Sequence, residues 1–148
     1  MIRLRAHPAI ARLCRDERGA ALVEFALVAP IFLTLLMGVI QVGLHVQNTN
    51  AVRNLASDGA RYAVVEYQRG NKLSTSQISM VIRARGVGPK YNLNTDRLIV
   101  TVTEPASRIG GVREMRIALS YDLPDFLAFV DNGAFQINYV RPVFLINT

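Results

Sequence analysis

From Phe25 to Val52 the chain carries no Asp, Glu, Lys or Arg, and the twenty residues from Phe25 to Leu44 are almost uniformly apolar. At 1.5 Å of rise per residue, a helix of that length covers the ~30 Å hydrocarbon core of a bilayer. The pattern predicts a transmembrane helix over residues 20–46. A cleavable secretory signal has a shorter apolar region, about 7–15 residues, closed by a small-x-small site. Here the run is longer and passes into Gly43-Leu44-His45-Val46-Gln47-Asn48-Thr49 without such a site. Pro30 lies inside the span, where it removes the hydrogen bond to the carbonyl of Ala26 and can kink the helix. A bend that helps helices pack and a tolerated membrane proline fit this position equally well.

Beyond the span the periodicity remains helical but becomes amphipathic. Val52, Leu55, Ala56, Gly59, Ala60, Ala63 and Tyr67 recur at spacings of three and four, so the helix is expected to continue from Gln47 to about Tyr67. That face is narrow and made mainly of small residues, suited to packing on the protein's own sheet or on another subunit. Arg53, Asn54, Asp58 and Arg61 fall on the watery side, and Asp58 and Arg61 have the spacing of a surface ion pair. The helix should end near Gln68-Arg69-Gly70-Asn71. A second, short helix is expected from Thr75 to Arg85: Ser74 and Gln77 have capping-box spacing, Ile78, Val81 and Ile82 share a face, and Gly86 can stop it.

Alternation then takes over. Leu98 to Thr103 and Arg113 to Tyr121 read as strands, with Leu98, Val100 and Val102 on one face of the first, and Met115, Ile117, Leu119 and Tyr121 on one face of the second. Gly110-Gly111 suits the connection between them. Leu123 to Val130 is apolar but too short for a second span, and is expected to be a short helix on the sheet or on the membrane. Asp131-Asn132-Gly133 supplies a turn before a last strand, Phe135 to Ile146, which Pro142 confines to an edge or a bulge. The fold class expected is therefore α+β: a long N-terminal transmembrane helix that continues as a helix packed on a small antiparallel sheet.

At 148 residues there is room for one small domain beside a membrane anchor. The net charge of +6 does not indicate a nucleic-acid partner. Arg3, Arg5, Arg12, Arg15 and Arg18 all precede Ala20, opposed only by Asp16 and Glu17, so half of the excess lies in the first nineteen residues. The remaining cations are scattered, and no basic stripe is interleaved with aromatic residues. The single cysteine, Cys14, is in the same leading segment, so disulfides, thiol catalysis and Cys-ligated zinc are excluded from residues 20–148. His7 and His45 are read as a leader residue and a membrane-interface residue. With no histidine after His45, a His-based triad or zinc site in the C-terminal domain is excluded. Gly-rich phosphate loops, zinc-protease motifs and nucleophile elbows are missing from the sequence. No catalytic residue, metal site or cofactor is expected. Asp122, Asp125 and Asp131 are close enough in sequence to approach a cation, but read more simply as solvated acids.

The arginine distribution sets the orientation. Five precede the span and only Arg53 and Arg61 come after it within the next twenty residues, which places the N-terminus in the cytoplasm and residues 47–148 outside. In this orientation Glu24 is costly, since a carboxylate costs roughly 2.5–3.5 kcal/mol at the centre of a span and less near its edge. If the chain were cut after Gly19, an α-ammonium would appear on Ala20, one helical turn and about 6 Å of axial rise from Glu24. An uncleaved signal anchor, in which Glu24 gains only the ~0.3–1 kcal/mol of a carboxylate near a helix N-terminus, leaves the Gly19-Ala20 junction without a role.

The run Arg18-Gly19-Ala20-Ala21-Leu22-Val23-Glu24-Phe25, continued by Ala26-Leu27-Val28-Ala29-Pro30, resembles a type IV-like prepilin. More narrowly it resembles the TadE-like minor pilins, or pseudopilins, of tight-adherence (Flp-type) pilus systems. The likeness extends through Asn54 to Val65 and then fades. It implies cutting by a membrane aspartyl prepilin peptidase after Gly19, a mature N-terminus at Ala20, and a role for Glu24, with Phe25 beside it, in processing or assembly. Major Flp pilins usually have Tyr after the glutamate and end soon after the helix. Phe25 and the sizeable C-terminal domain therefore point to a minor subunit. The resemblance implies a prepilin leader over 1–19, a transmembrane helix over 20–46 and a periplasmic α+β domain over 47–148. The expected site is a bacterial inner membrane, or an extracellular pilus after assembly, and the expected role is in pilus assembly or cell adhesion. The expected partners are prepilin peptidase, other pilin and minor pilin subunits, the inner-membrane assembly platform and the lipid bilayer, with no nucleic acid. The alternative is an uncleaved single-span envelope protein with a periplasmic binding or scaffold domain.

Overall fold

A computed structural model describes residues 17–124 and 135–146. Helix α1 runs unbroken from Glu17 to Gln68 over 52 residues, through Pro30. One turn after the proline, Thr34 Oγ1 donates to the carbonyl of Pro30 at 2.8 Å, a local side-chain bond of the kind that accompanies irregular helical hydrogen bonding. The helix ends at Gly70, whose φ of +83° is the left-handed conformation that glycine adopts without steric cost. Around it the Asn71 amide donates to Glu66 O (2.9 Å) and the Gly70 amide to Tyr67 O (3.0 Å), the paired bonds that close a Schellman cap.

Helix α2, Thr75–Val87, begins with the anticipated reciprocal cap: the Gln77 amide donates to Ser74 Oγ and the Ser74 amide to Gln77 Oε1. Its end differs from the expectation. Gly86 does not stop the helix but lies buried within it, and the C-cap is Gly88, whose amide donates to Arg85 O. The reason is steric. A Cβ on Gly86 would stand 2.7 Å from a Leu98 methyl and 2.8 Å from a Leu55 methyl, so glycine is used here for close packing.

Strands β1 (Leu98–Thr103), β2 (Val112–Asp122) and β3 (Gln136–Ile146) form an antiparallel meander in the order β1-β2-β3. Leu98 pairs with Tyr121 and Thr103 with Arg116; Val112 pairs with Ile146 and Asp122 with Gln136. The Gly111 φ of +76° lies in the β1–β2 connection, where the glycine pair predicts a turn. Pro142, opposite Arg116, is on an edge strand as expected. The architecture is thus the α+β layout expected from the sequence, two helices and a three-stranded antiparallel sheet. The Leu123–Val130 segment lies outside the described residues beyond Pro124, as do the Asp131-Asn132-Gly133 turn, His7 and Cys14.

The chain divides into two compact units, one through Ile40 and one from Gln41 onward. In the first, every large apolar side chain from Leu22 to Ile40 is exposed. In the second, Val52, Leu55, Ala56, Ala60 and Ala63 of α1 are buried with Ile78 and Ile82 of α2 and with Met115, Ile117, Leu119 and Tyr121 of β2. The small-residue face of α1 therefore packs within its own domain. Gly59 permits the closest approach, since a Cβ there would meet Ile82 side-chain carbons at 2.6 and 2.8 Å. Gln41, although part of the apolar run, is 1 % exposed and donates through Nε2 to Pro124 O at 3.0 Å.

Candidate functional site

The residues singled out in the sequence all lie on α1. Gly19 and Ala20 lie near the start of the described part of α1. Glu24 is exposed and makes no hydrogen bond or ion pair among the described residues. Phe25 beside it is 70 % exposed, and Pro30 is exposed a turn and a half further on. The helix brings these residues into register along one element, and among the described residues no counter-charge meets the carboxylate.

The second unit contains three ion pairs that bring distant segments together. Asp58 does not pair directly with Arg61. Its Oδ2 instead accepts from Lys90 Nζ and from Tyr91 Oη, both at 2.6 Å, which ties α1 to the loop after α2. The Lys90 ammonium, then the Tyr91 hydroxyl, holds the Asp58 carboxyl below its ordinary range, with the field of Arg61 adding to them. Lys90 is raised in return. Spacing along a helix made Arg61 visible as a partner, whereas Lys90 lies across a turn at Gly88-Pro89, for which periodicity carries no signal.

Glu114 is the buried acid, 1 % exposed in β2. Arg108 clasps it with three donors: its backbone amide and Nε reach Oε2 at 3.2 and 3.1 Å, and Nη2 reaches Oε1 at 2.9 Å. A buried carboxylate satisfied in this way stays ionised, and the Arg108 guanidinium lowers its pKa. The same guanidinium stands 5.7 Å from the ring centre of Phe144 on β3. Nearby, Arg113 grips the Glu104 carboxylate through Nε and Nη2 and holds its pKa down. These contacts fold the 104–111 connection onto the sheet. Asp122 accepts from Gln136 Nε2 at 2.9 Å, while Asp125 and Asp131 lie outside the described residues.

Two open depressions flank Arg61 and Val65. One, of about 380 Å³, runs between α1 and β3 along Val64, Pro142 and Phe144. The other, of about 430 Å³, lies between α1 and α2 and collects Tyr62, Arg69 and Arg85. Arg85 stacks over the Tyr62 ring at 4.6 Å. Among the described residues no group of three or more His, Cys, Asp and Glu could hold a metal ion.

Among the described residues α1 is one helix long and apolar enough to cross a membrane. No curated protein and no solved structure matches the chain. Residues 19–61 match the model of the family described as TadE-like protein, so from the junction glycine to Arg61 the chain is similar to the TadE-like proteins of tight-adherence pilus systems.

Proposed function

We propose that this protein is a minor pilin-like structural subunit of a tight-adherence pilus, made as a precursor and matured by prepilin peptidase between Gly19 and Ala20. The observation that carries the reading is the state of α1 before Gln41. Its large apolar side chains are all exposed, and Glu24, a carboxylate without a partner among the described residues, comes five residues after Gly19 in the same helix. Water is a poor solvent for such a surface, whereas lipid tails or neighbouring helices of the same kind suit it. The family match supports the same assignment, since it begins at Gly19.

In this reading α1 first anchors the chain in the bilayer, with residues 1–19 in the cytoplasm and the α+β domain outside. Cleavage exposes the Ala20 ammonium. On transfer into a filament, Glu24 of one subunit meets that ammonium on its neighbour. A buried ion left alone costs several kcal/mol, of order what pairing recovers, so the pair sets register more than it adds stability. The domain then acts as an interaction module and not as an enzyme, with other pilin subunits and the assembly platform as its partners.

Intact mass spectrometry of the membrane-extracted protein tests the maturation step. Loss of residues 1–19 in cells containing the peptidase is expected. A full-length chain in those cells sinks the pilin reading and returns the uncleaved envelope scaffold. Shearing cells and probing the filament fraction then tests incorporation. A Glu24→Ala protein is expected to be depleted from that fraction.

A further inference from the structure

Between α1 and α2 the depression of about 430 Å³ is lined by three guanidinium groups and two carboxylates. Each carboxylate already has its own cation: Glu66 accepts from Arg69 and Asn71, and Asp58 from Lys90 and Tyr91. That leaves Arg61, which makes no hydrogen bond or ion pair among the described residues, and Arg85, whose side chain has only the face of Tyr62. The neighbouring depression of about 380 Å³ shares Arg61 and Val65 and adds Arg141, so cations line both. Apolar side chains belong to the same surface, with Val65 42 % and Phe144 37 % exposed.

Two of these cations are positioned by neighbours that leave their charge uncompensated. Arg85 stands over Tyr62, 4.6 Å from the ring centre, and a guanidinium stacked on a ring keeps its in-plane N–H groups free for an acceptor. Arg141 Nη1 donates at 2.9 Å to Ser57 Oγ, a neutral partner. A planar fork fixed in this way matches a carboxylate, which accepts two parallel bonds from it. One exposed ion pair is worth little in water, so a free carboxylate is not retained and the ligand must carry several on one backbone. Arginine and aromatic side chains around an apolar patch are the composition enriched where proteins meet, which points to a polypeptide. A second copy presenting the same face sets cation against cation, so the partner is a different protein.

We propose that the surface formed by Arg61, Arg85 and Arg141 docks an acidic segment of a different protein subunit, with its carboxylates on the guanidinium groups and an apolar side chain between them on Val65. The inference rests on the reading of the C-terminal domain as an interaction module and supplies the chemistry of its partner.

The test titrates a fluorescent synthetic peptide, glutamates on both sides of a central phenylalanine, into the full chain in zwitterionic detergent, with a glutamine version as control. Anisotropy is expected to show binding of the glutamate peptide only. Arg61→Glu with Arg85→Glu is expected to weaken that binding about tenfold, through loss of two exposed pairs. Arg83→Glu with Arg116→Glu, the same charge change outside both depressions, is expected to leave it unchanged. The chain has no tryptophan, so Tyr62→Trp places a single indole beneath Arg85, and its emission is expected to shift as the peptide binds. Absence of binding, equal binding of the glutamine peptide, or indifference to reversal of Arg61 and Arg85 overturns the proposal. So does a matching loss in the Arg83 and Arg116 protein, or an indole emission that stays fixed while anisotropy rises. Tighter binding of an oligogalacturonate of matched charge, or of phosphatidylglycerol vesicles, overturns it in favour of a polysaccharide or a lipid. Intact mass of the same protein reports leader removal independently, so loss of docking with normal processing leaves the maturation reading standing.

Discussion

Helix α1 is one continuous element with two different physical lives. Up to Ile40 its apolar side chains point outward all around, and the glycines in this part, Gly19 and Gly38, have nothing within 4 Å of where a Cβ would stand. From Gln41 the same helix geometry buries a face down to complete exclusion of solvent at Val52, Leu55 and Ala56. There Gly59 is met by Ile82 at under 3 Å. Apolarity therefore means opposite things in the two halves. In the first it leaves a surface that no described residue covers; in the second it specifies a partner within the chain.

Substitutions matched across the two halves test this contrast most directly. Leu55→Ala is expected to cost the second unit about 2–5 kcal/mol, as for emptying a core site, whereas Leu33→Ala leaves that unit's unfolding unchanged. Denaturant titration of the full chain in detergent reads both, and equal effects would break the distinction. Next in size, Gly59→Val or Gly86→Val is expected to cost about 1–3 kcal/mol by overpacking against fully buried side chains, while Gly38→Val is silent in the same assay.

Smaller effects sharpen the second unit alone. Ser74→Ala removes the capping box of α2 and is expected to lower stability by about 1 kcal/mol, measured as a drop in melting temperature. Asp58→Asn weakens the link between α1 and the Lys90 loop, and the Asp58 side chain is 33 % exposed. Solvent screening therefore holds the expected loss to below about 1 kcal/mol.

The pH dependence rests on the same carboxylates. Asp58, Glu104 and Glu114 all have folded-state pKa values below their ordinary ones, because Lys90, Arg113 and Arg108 respectively favour the charged form. Their contribution is complete above the unfolded-state carboxylate range, about 4, and is lost as pH falls through the folded-state values. Melting temperature is thus expected to be level from neutral pH to about 5 and to fall below about 4. The Glu114→Gln protein should show a shallower acid limb, and an unchanged limb would remove Glu114 from this account.

Much of this architecture is legible in the chain. The capping spacing of Ser74 and Gln77, the alternation from Leu98 to Thr103 and from Met115 to Tyr121, and the edge signal of Pro142 each appear in the fold where local chemistry puts them. Gly86 reads as a stop in sequence, yet continues the helix, because a helix-ending glycine and a close-packing glycine are the same letter. Only the Leu55 and Leu98 methyl groups, brought in from α1 and β1, distinguish the two. Similarly, Asp58 has a helical neighbour at Arg61, but its closest bonds come from Lys90 and Tyr91, more than thirty residues away.

By itself the sequence determined the long apolar helix, its break into an amphipathic half, the strand pattern and the Gly19-Ala20-Glu24 arrangement. All of these arise from interactions over a few residues and from hydrophobic period. Only the tertiary structure decided that the small face of α1 packs on its own domain, that Glu114 can be buried beneath Arg108, and that two depressions share Arg61 and Val65. Those outcomes depend on which distant side chains arrive at the same place, and periodicity along one chain carries no information about that.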